Sequence, residues 1–137
     1  MAKGAPTEKA TKAENDQEKK LVKKACIATV NAFADREHTK IWQIIPCLPL
    51  DQKLTERNHT ALHKICSMQI ANQTDRNFVK KIIELFWKEM KKGKRLYINM
   101  KDRFGFTPLM LSTASQNSLA IDFLLDSQHP NPLKVDD

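Results

Sequence analysis

Residues 99–110 read Asn99-Met100-Lys101-Asp102-Arg103-Phe104-Gly105-Phe106-Thr107-Pro108-Leu109-Met110. The first half is polar and contains one glycine, the residue that best tolerates the left-handed backbone of a tight turn. The second half opens a helix. Threonine offers its oxygen to the free amides of the first turn, and proline at the first helical position forfeits no hydrogen bond. Leu109, Met110, Leu111 and Ala114 continue that helix, and a break at Gln116-Asn117-Ser118 leads to a second one carrying Leu119, Ile121, Phe123, Leu124 and Leu125. Pro130 and Pro132 are expected to end it.

The same arrangement occurs earlier. Asn58-His59-Thr60-Ala61-Leu62-His63 repeats the turn and the capping threonine, with Asn58 in the place of Gly105 and alanine in the place of proline. Asparagine is the next-best residue for a left-handed position. Leu62, Ile65, Cys66 and Met68 follow on a helix. After the polar stretch 71–77, Phe78, Ile82, Phe86 and Met90 recur every fourth residue, the strongest helical pattern in the chain. Further back, Leu21, Val22, Cys26, Ile27 and Val30 mark a helix. A break at Asp35-Arg36-Glu37 precedes a shorter helix with Ile41, Trp42, Ile44 and Ile45, stopped by Pro46 and Pro49. The chain therefore predicts three helix pairs, an all-α solenoid joined by short turn loops. Residues 1–16 hold almost no large apolar side chain and are expected to form a disordered lysine-rich tail.

These loop-and-helix units resemble the ankyrin repeat, a unit of about 33 residues with a Thr-Pro-Leu-His helix start. The resemblance is specific over Asn99–Leu125, fair around Thr60, and weak in the first pair, which suits a capping repeat. The resulting division is 17–50 as cap, 51–98 as an enlarged repeat, and 99–137 as a repeat plus the start of another at Asp136. Thr60 and Thr107 are 47 positions apart. The excess over one unit is expected as a longer inter-helix loop and a longer second helix in the middle repeat. The resemblance implies that Leu62 and Leu109 plug the junctions to the next repeat. It also implies that His63 ties adjacent loops by hydrogen bonds, a tie that Met110 in the matching position lacks.

The 137 residues carry 23 Lys and Arg against 16 Asp and Glu, a formal net charge of +7. Seven of those bases fall between Lys80 and Arg95, alongside Glu84 and Glu89. No run approaches the roughly 18 apolar residues of a membrane span, and no apolar segment follows the basic N-terminus as in a secretory signal. A cytoplasmic or nuclear protein is expected. Cys26, Cys47 and Cys66 form neither a Cys-x-x-Cys pair nor a disulfide framework, and read as reduced thiols. His59, His63 and Cys66 are spaced i, i+4, i+7, yet His59 precedes the cap and no fourth ligand is near in sequence, so no metal is expected. No glycine-rich phosphate loop or paired carboxylates point to catalysis, so neither enzyme activity nor a cofactor is expected.

The expectation is a monomeric module that binds another protein. By the resemblance, the contacts come from loop tips and first helices: Lys101, Arg103, Phe104, Phe106, Ala114 and Ser115 in the last repeat, and Leu54, Glu56, Arg57, His59, Ser67 and Met68 in the middle one. Exposed aromatics beside arginine are typical interface anchors. The alternative is an electrostatic site for nucleic acid or an anionic membrane, formed by Lys80, Lys81, Lys88, Lys91, Lys92, Lys94 and Arg95. A further alternative is an ankyrin segment of a larger regulator or pathogen effector.

Overall fold

A computed structural model describes residues 8–126, with side chains from residue 15 onward. The described residues are all helical apart from turns and loops: α1 Glu8–Ala34, α2 His38–Ile44, α3 Ala61–Cys66, α4 Gln73–Lys91, α5 Pro108–Ala114 and α6 Ser118–Leu124, with a 3-10 turn at Ile45–Cys47. None of these helices is long and apolar enough to cross a membrane.

Consecutive helices pair, α1 with α2 and α5 with α6, and alternate helices stack. One layer runs α2, α4, α6, while α3 lies on α5 in the other. The core follows α4, where Phe78, Val79, Ile82, Leu85, Phe86 and Met90 are buried. Phe33 meets Phe78 edge-on from one side, and Phe123 stacks against Phe86 from the other. The fourfold spacing in the sequence thus serves a central helix flanked by both neighbours.

The caps follow the sequence closely. Thr60 and Thr107 accept from the amides of His63 and Met110, Asn72 from Asp75, and Asn117 from Ala120. The turn α1–α2 has the backbone of the turn α5–α6. Arg36 and Gln116 are left-handed, at φ 58° and 57°, and in each turn the following amide reaches back five residues, Glu37 to Ala32 and Asn117 to Ser112. The first pair lacks the threonine motif yet shares this turn with the last.

Three expectations are corrected. The tail assigned to residues 1–16 is helical from Glu8, because Ala, Glu and Lys favour helix even without apolar side chains to bury. Helix α4 starts at Gln73, under the Asn72 cap, so much of the middle insertion is helix and only part is loop. Leu62 is buried at its junction, but Leu109 is exposed among the described residues, where no further helix pair stacks on it. Residues 1–7, Pro130, Pro132 and the repeat start proposed at Asp136 lie outside the described residues.

Candidate partner-binding surface

The two motif loops are built alike and lie side by side. In the first, the Asn58 amide bonds the Thr55 carbonyl at 3.0 Å with Asn58 at φ 60°. In the second, the Gly105 amide bonds the Asp102 carbonyl at 3.0 Å with Gly105 at φ 87°. The positive φ at both positions explains the Asn and Gly found there. One backbone bond joins the tips, from the Arg103 amide to the Arg57 carbonyl at 2.8 Å.

Asp102 organises the second loop. Its Oδ1 accepts from the Phe104 and Phe106 amides, both at 2.9 Å, and its Oδ2 accepts from His59 Nε2 at 2.9 Å. Burial opposes ionisation of this carboxyl, but the Phe106 amide, His59 and the Phe104 amide outweigh it and hold the group below the usual carboxylate range. Thr55 in the first loop is a weaker counterpart, accepting only from the Arg57 amide at 3.2 Å.

With the loop fixed in this way, its aromatics face water. Phe104 is 64% exposed and Phe106 48%, and the Arg57 guanidinium sits 6.0 Å from the Phe104 ring centre. Lys101, Arg103, Glu56 and Arg57 are exposed around them, as are Ser67 and Ala114 on the first helices. A groove of about 780 Å³ runs between α1 and residues 49–56, with Val22, Cys26, Ile27, Pro49 and Leu54 among its lining. Glu56 belongs to both the groove and the loop tip. No sequence signal assigned α1 to this surface.

Four of the expected contact residues have other work. Met68 and Leu54 are buried, Leu54 with only an edge on the groove. His59 is held by Asp102, and the Ser115 hydroxyl donates to the Cys66 carbonyl at 2.7 Å, tying α5 to α3. Asn117 makes a parallel tie, its Nδ2 donating to the Ile65 carbonyl at 2.8 Å while its Oδ1 caps α6. The polar residue before Ser118-Leu119-Ala120 was the available signal for Asn117, and the Asp-x-x-Gly turn was the signal for Asp102.

His63 is fully buried and ties the loops. Its Nδ1 accepts from the Thr60 amide at 3.1 Å, and its Nε2 donates to the Met100 carbonyl at 2.8 Å. Burial pushes its imidazole below the ordinary range, and the Met100 carbonyl only partly offsets this. Cys66 is buried, and burial likewise pushes its thiol up. Among the described residues no group of three or more His, Cys, Asp or Glu side chains is placed to hold a metal.

The basic cluster divides. Lys80, Lys81, Lys88 and Lys91 are exposed on α4 within about a third of the helix circumference. Lys92, the C-cap residue, is exposed beside them with its ammonium 3.2 Å from the Glu89 carboxylate. Lys88 lies 5.2 Å over the Trp42 ring, whose Nε1 donates to the Lys81 carbonyl at 3.0 Å. Arg95 stays outside the helix beside Tyr97. Lys94 leaves the patch. Its ammonium donates to the Ile45, Pro46 and Leu48 carbonyls, satisfying the end of the 3-10 turn, and sits 2.7 Å from the buried Glu89 carboxylate. Burial opposes the Glu89 charge, but Lys94 and Lys92 outweigh it and lower the acid's pKa.

No family model matches the chain, and comparison with curated proteins and with solved structures gives no match.

Proposed function

We propose that the chain is a non-catalytic, ankyrin-type repeat module that binds another protein along its loop tips and first-helix face. The observation that carries this is Phe104. It is a large apolar side chain held in water on a loop whose backbone is fixed by a buried carboxylate, with an arginine over its ring. An anchor positioned in advance loses little entropy on binding. Lys101, Arg103 and Arg57 around it suit a partner segment that carries acidic residues beside an apolar pocket. The stacking of alternate helices, the two left-handed loop positions and the His63 tie support the ankyrin-type assignment. Binding of a candidate partner by the intact chain and by Phe104→Ala/Phe106→Ala tests it. The double variant should lose most of the affinity while keeping its melting temperature, and equal affinity would overturn it.

A second reading rests on Lys80, Lys81, Lys88 and Lys91, four exposed lysines that share one face of α4, an arrangement suited to a phosphate-bearing polymer or surface. Ionic strength separates the two. Phosphate contacts lose affinity steeply between low and moderate salt, with a slope set by the number of charges neutralised, whereas an aromatic-anchored protein contact weakens only modestly.

A further inference from the structure

The turn between α1 and α2 faces the first half of α4 across a cleft of about 460 Å³. Arg36 and His38 line it from the turn and the start of α2, and Thr74, Asn77, Lys80 and Lys81 line it from α4.

Arg36 is fixed in place before any ligand arrives. Its backbone is left-handed, at φ 58°, a conformation that glycine or asparagine meets at lower cost. Its Nε donates to the Asp75 carboxylate at 3.0 Å and its Nη1 to the Phe33 carbonyl at 2.7 Å. The guanidinium carbon lies 5.8 Å from the centre of the Phe78 ring. Its Nη2 makes no hydrogen bond among the described residues.

The other polar groups of the lining are mostly donors with no partner in the chain. The side chains of His38, Thr74 and Lys80 make no hydrogen bond or ion pair among the described residues. Asn77 uses its Oδ1 to accept from the Gln73 amide at 2.9 Å, which leaves its Nδ2 without a partner there. The acceptors are engaged. Glu84 is the carboxylate of the lining, with the Lys81 ammonium 3.6 Å away. Asp75, behind Arg36, accepts from that guanidinium and from the Ala71 amide at 3.1 Å. The cleft therefore offers a guanidinium edge, an ammonium and neutral donors to whatever enters it. An acceptor-only, negatively charged ligand meets that set best. A phosphate group brings three acceptor oxygens and up to two charges, against two oxygens and one charge for a carboxylate. The volume exceeds that of a lone phosphate and falls in the range of small-molecule sites.

We propose that this cleft binds a phosphate group carrying a further unit, as in a pyrophosphate or a phosphate ester. Arg36 and Lys80 meet its charge, and His38, Thr74 and Asn77 donate to its remaining oxygens. The site shares Lys80 and Lys81 with the basic face of α4, but it also needs the turn residues, and Lys88 and Lys91 lie outside it. It does not depend on the loop tips of Phe104 and Phe106.

Titration of the full chain with inorganic pyrophosphate, followed by amide NMR signals at about 0.15 M salt, tests the site. The signals of Arg36, His38 and Thr74 should move along one saturable curve while those of Lys88 and Lys91 hardly move. His38→Ala/Lys80→Gln removes two side chains without partners and should weaken binding by about tenfold or more. Thr74→Val serves as a second variant on the same cleft should the first fold poorly, with a smaller but measurable loss. Lys88→Gln/Lys91→Gln should change the affinity by less than about twofold, because charges a Debye length away are screened. Absence of saturation, equal weakening by the two lysine-containing pairs, or succinate binding as tightly as pyrophosphate would overturn the proposal. Vesicles carrying a phosphoinositide separate two sources of the same chemistry. Displacement of pyrophosphate by them assigns the site to a lipid headgroup, and retention of pyrophosphate assigns it to a soluble phosphate ester.

Discussion

The Asp102 carboxylate accepts a hydrogen bond from His59 at 2.9 Å, joining two loops 43 positions apart in the chain. The same carboxylate holds the Phe104 and Phe106 amides, so one buried charge sets both the spacing of the loops and the aim of the aromatics. Asp102→Asn keeps the size but weakens three bonds to a charged acceptor. It should destabilise the fold by about 1–3 kcal/mol in urea denaturation. Thr55→Ala, which removes one longer bond in the first loop, should cost clearly less, and equal costs would contradict the hub role of Asp102.

Stability should also fall on mild acidification. Burial lowers the folded-state pKa of His63, so the unfolded chain takes up the proton first, near the free imidazole value of about 6.5. Unfolding then binds protons as pH falls. The stability is complete above about pH 6.5 and declines below it, down to the folded-state value. Asp102 and Glu89, with lowered pKa values, keep their contributions through this window and lose them only below the ordinary carboxylate range. Urea midpoints measured from about pH 7.5 to about pH 5 should fall in the native chain and much less in His63→Gln. A flat profile in the native chain would exclude His63 as the responsible group.

Lys94 separates structural from surface charge. Lys94→Met leaves three carbonyls without their donor and the buried Glu89 with Lys92 as its remaining cation, and should cost about 1–3 kcal/mol. Lys80→Met and Lys91→Met, on the exposed face of α4, should stay within about 0.5 kcal/mol. Equal effects at all three would mean that the carbonyl cluster does not depend on Lys94.

The helices and their starts were legible in the sequence because capping chemistry and apolar spacing are local. Thr60, Thr107 and the Phe78–Met90 repeat each specify their element without reference to the rest of the chain. The loop turns were legible for the same reason, since Asn58 and Gly105 answer a backbone requirement at one position. What was not legible depends on contacts distant in sequence. Lys94 reads as one more member of a basic run until the Ile45–Leu48 carbonyls are seen around it. Met68 reads as a surface residue until its burial is seen, and α1 reads as one helix of a pair until residues 49–56 form the other wall of a groove along it. Nor does a polar insertion at 71–77 reveal that α4 reaches back to Gln73, because the Asn72 cap and the first-turn Asp75 supply local support that apolar periodicity does not register.

Phe104 and Phe106 should matter for binding and hardly at all for folding. Phe104 is largely exposed and Phe106 about half, so Phe104→Ala/Phe106→Ala should leave the unfolding free energy within about 0.5 kcal/mol of the native chain at equal salt. A large loss of stability would mean that the rings pack in solution and are not free to anchor a partner.

The most direct test of the loop-tip surface is a quantitative pull-down at about 0.15 M salt. It compares the intact chain, Phe104→Ala/Phe106→Ala, and a variant with Lys80, Lys88 and Lys91 changed to glutamate. The account predicts a protein partner that the intact chain and the α4 variant retain equally and the double phenylalanine variant loses. A catch unchanged by removing the phenylalanines, but abolished by the α4 charges and released by salt, would contradict it.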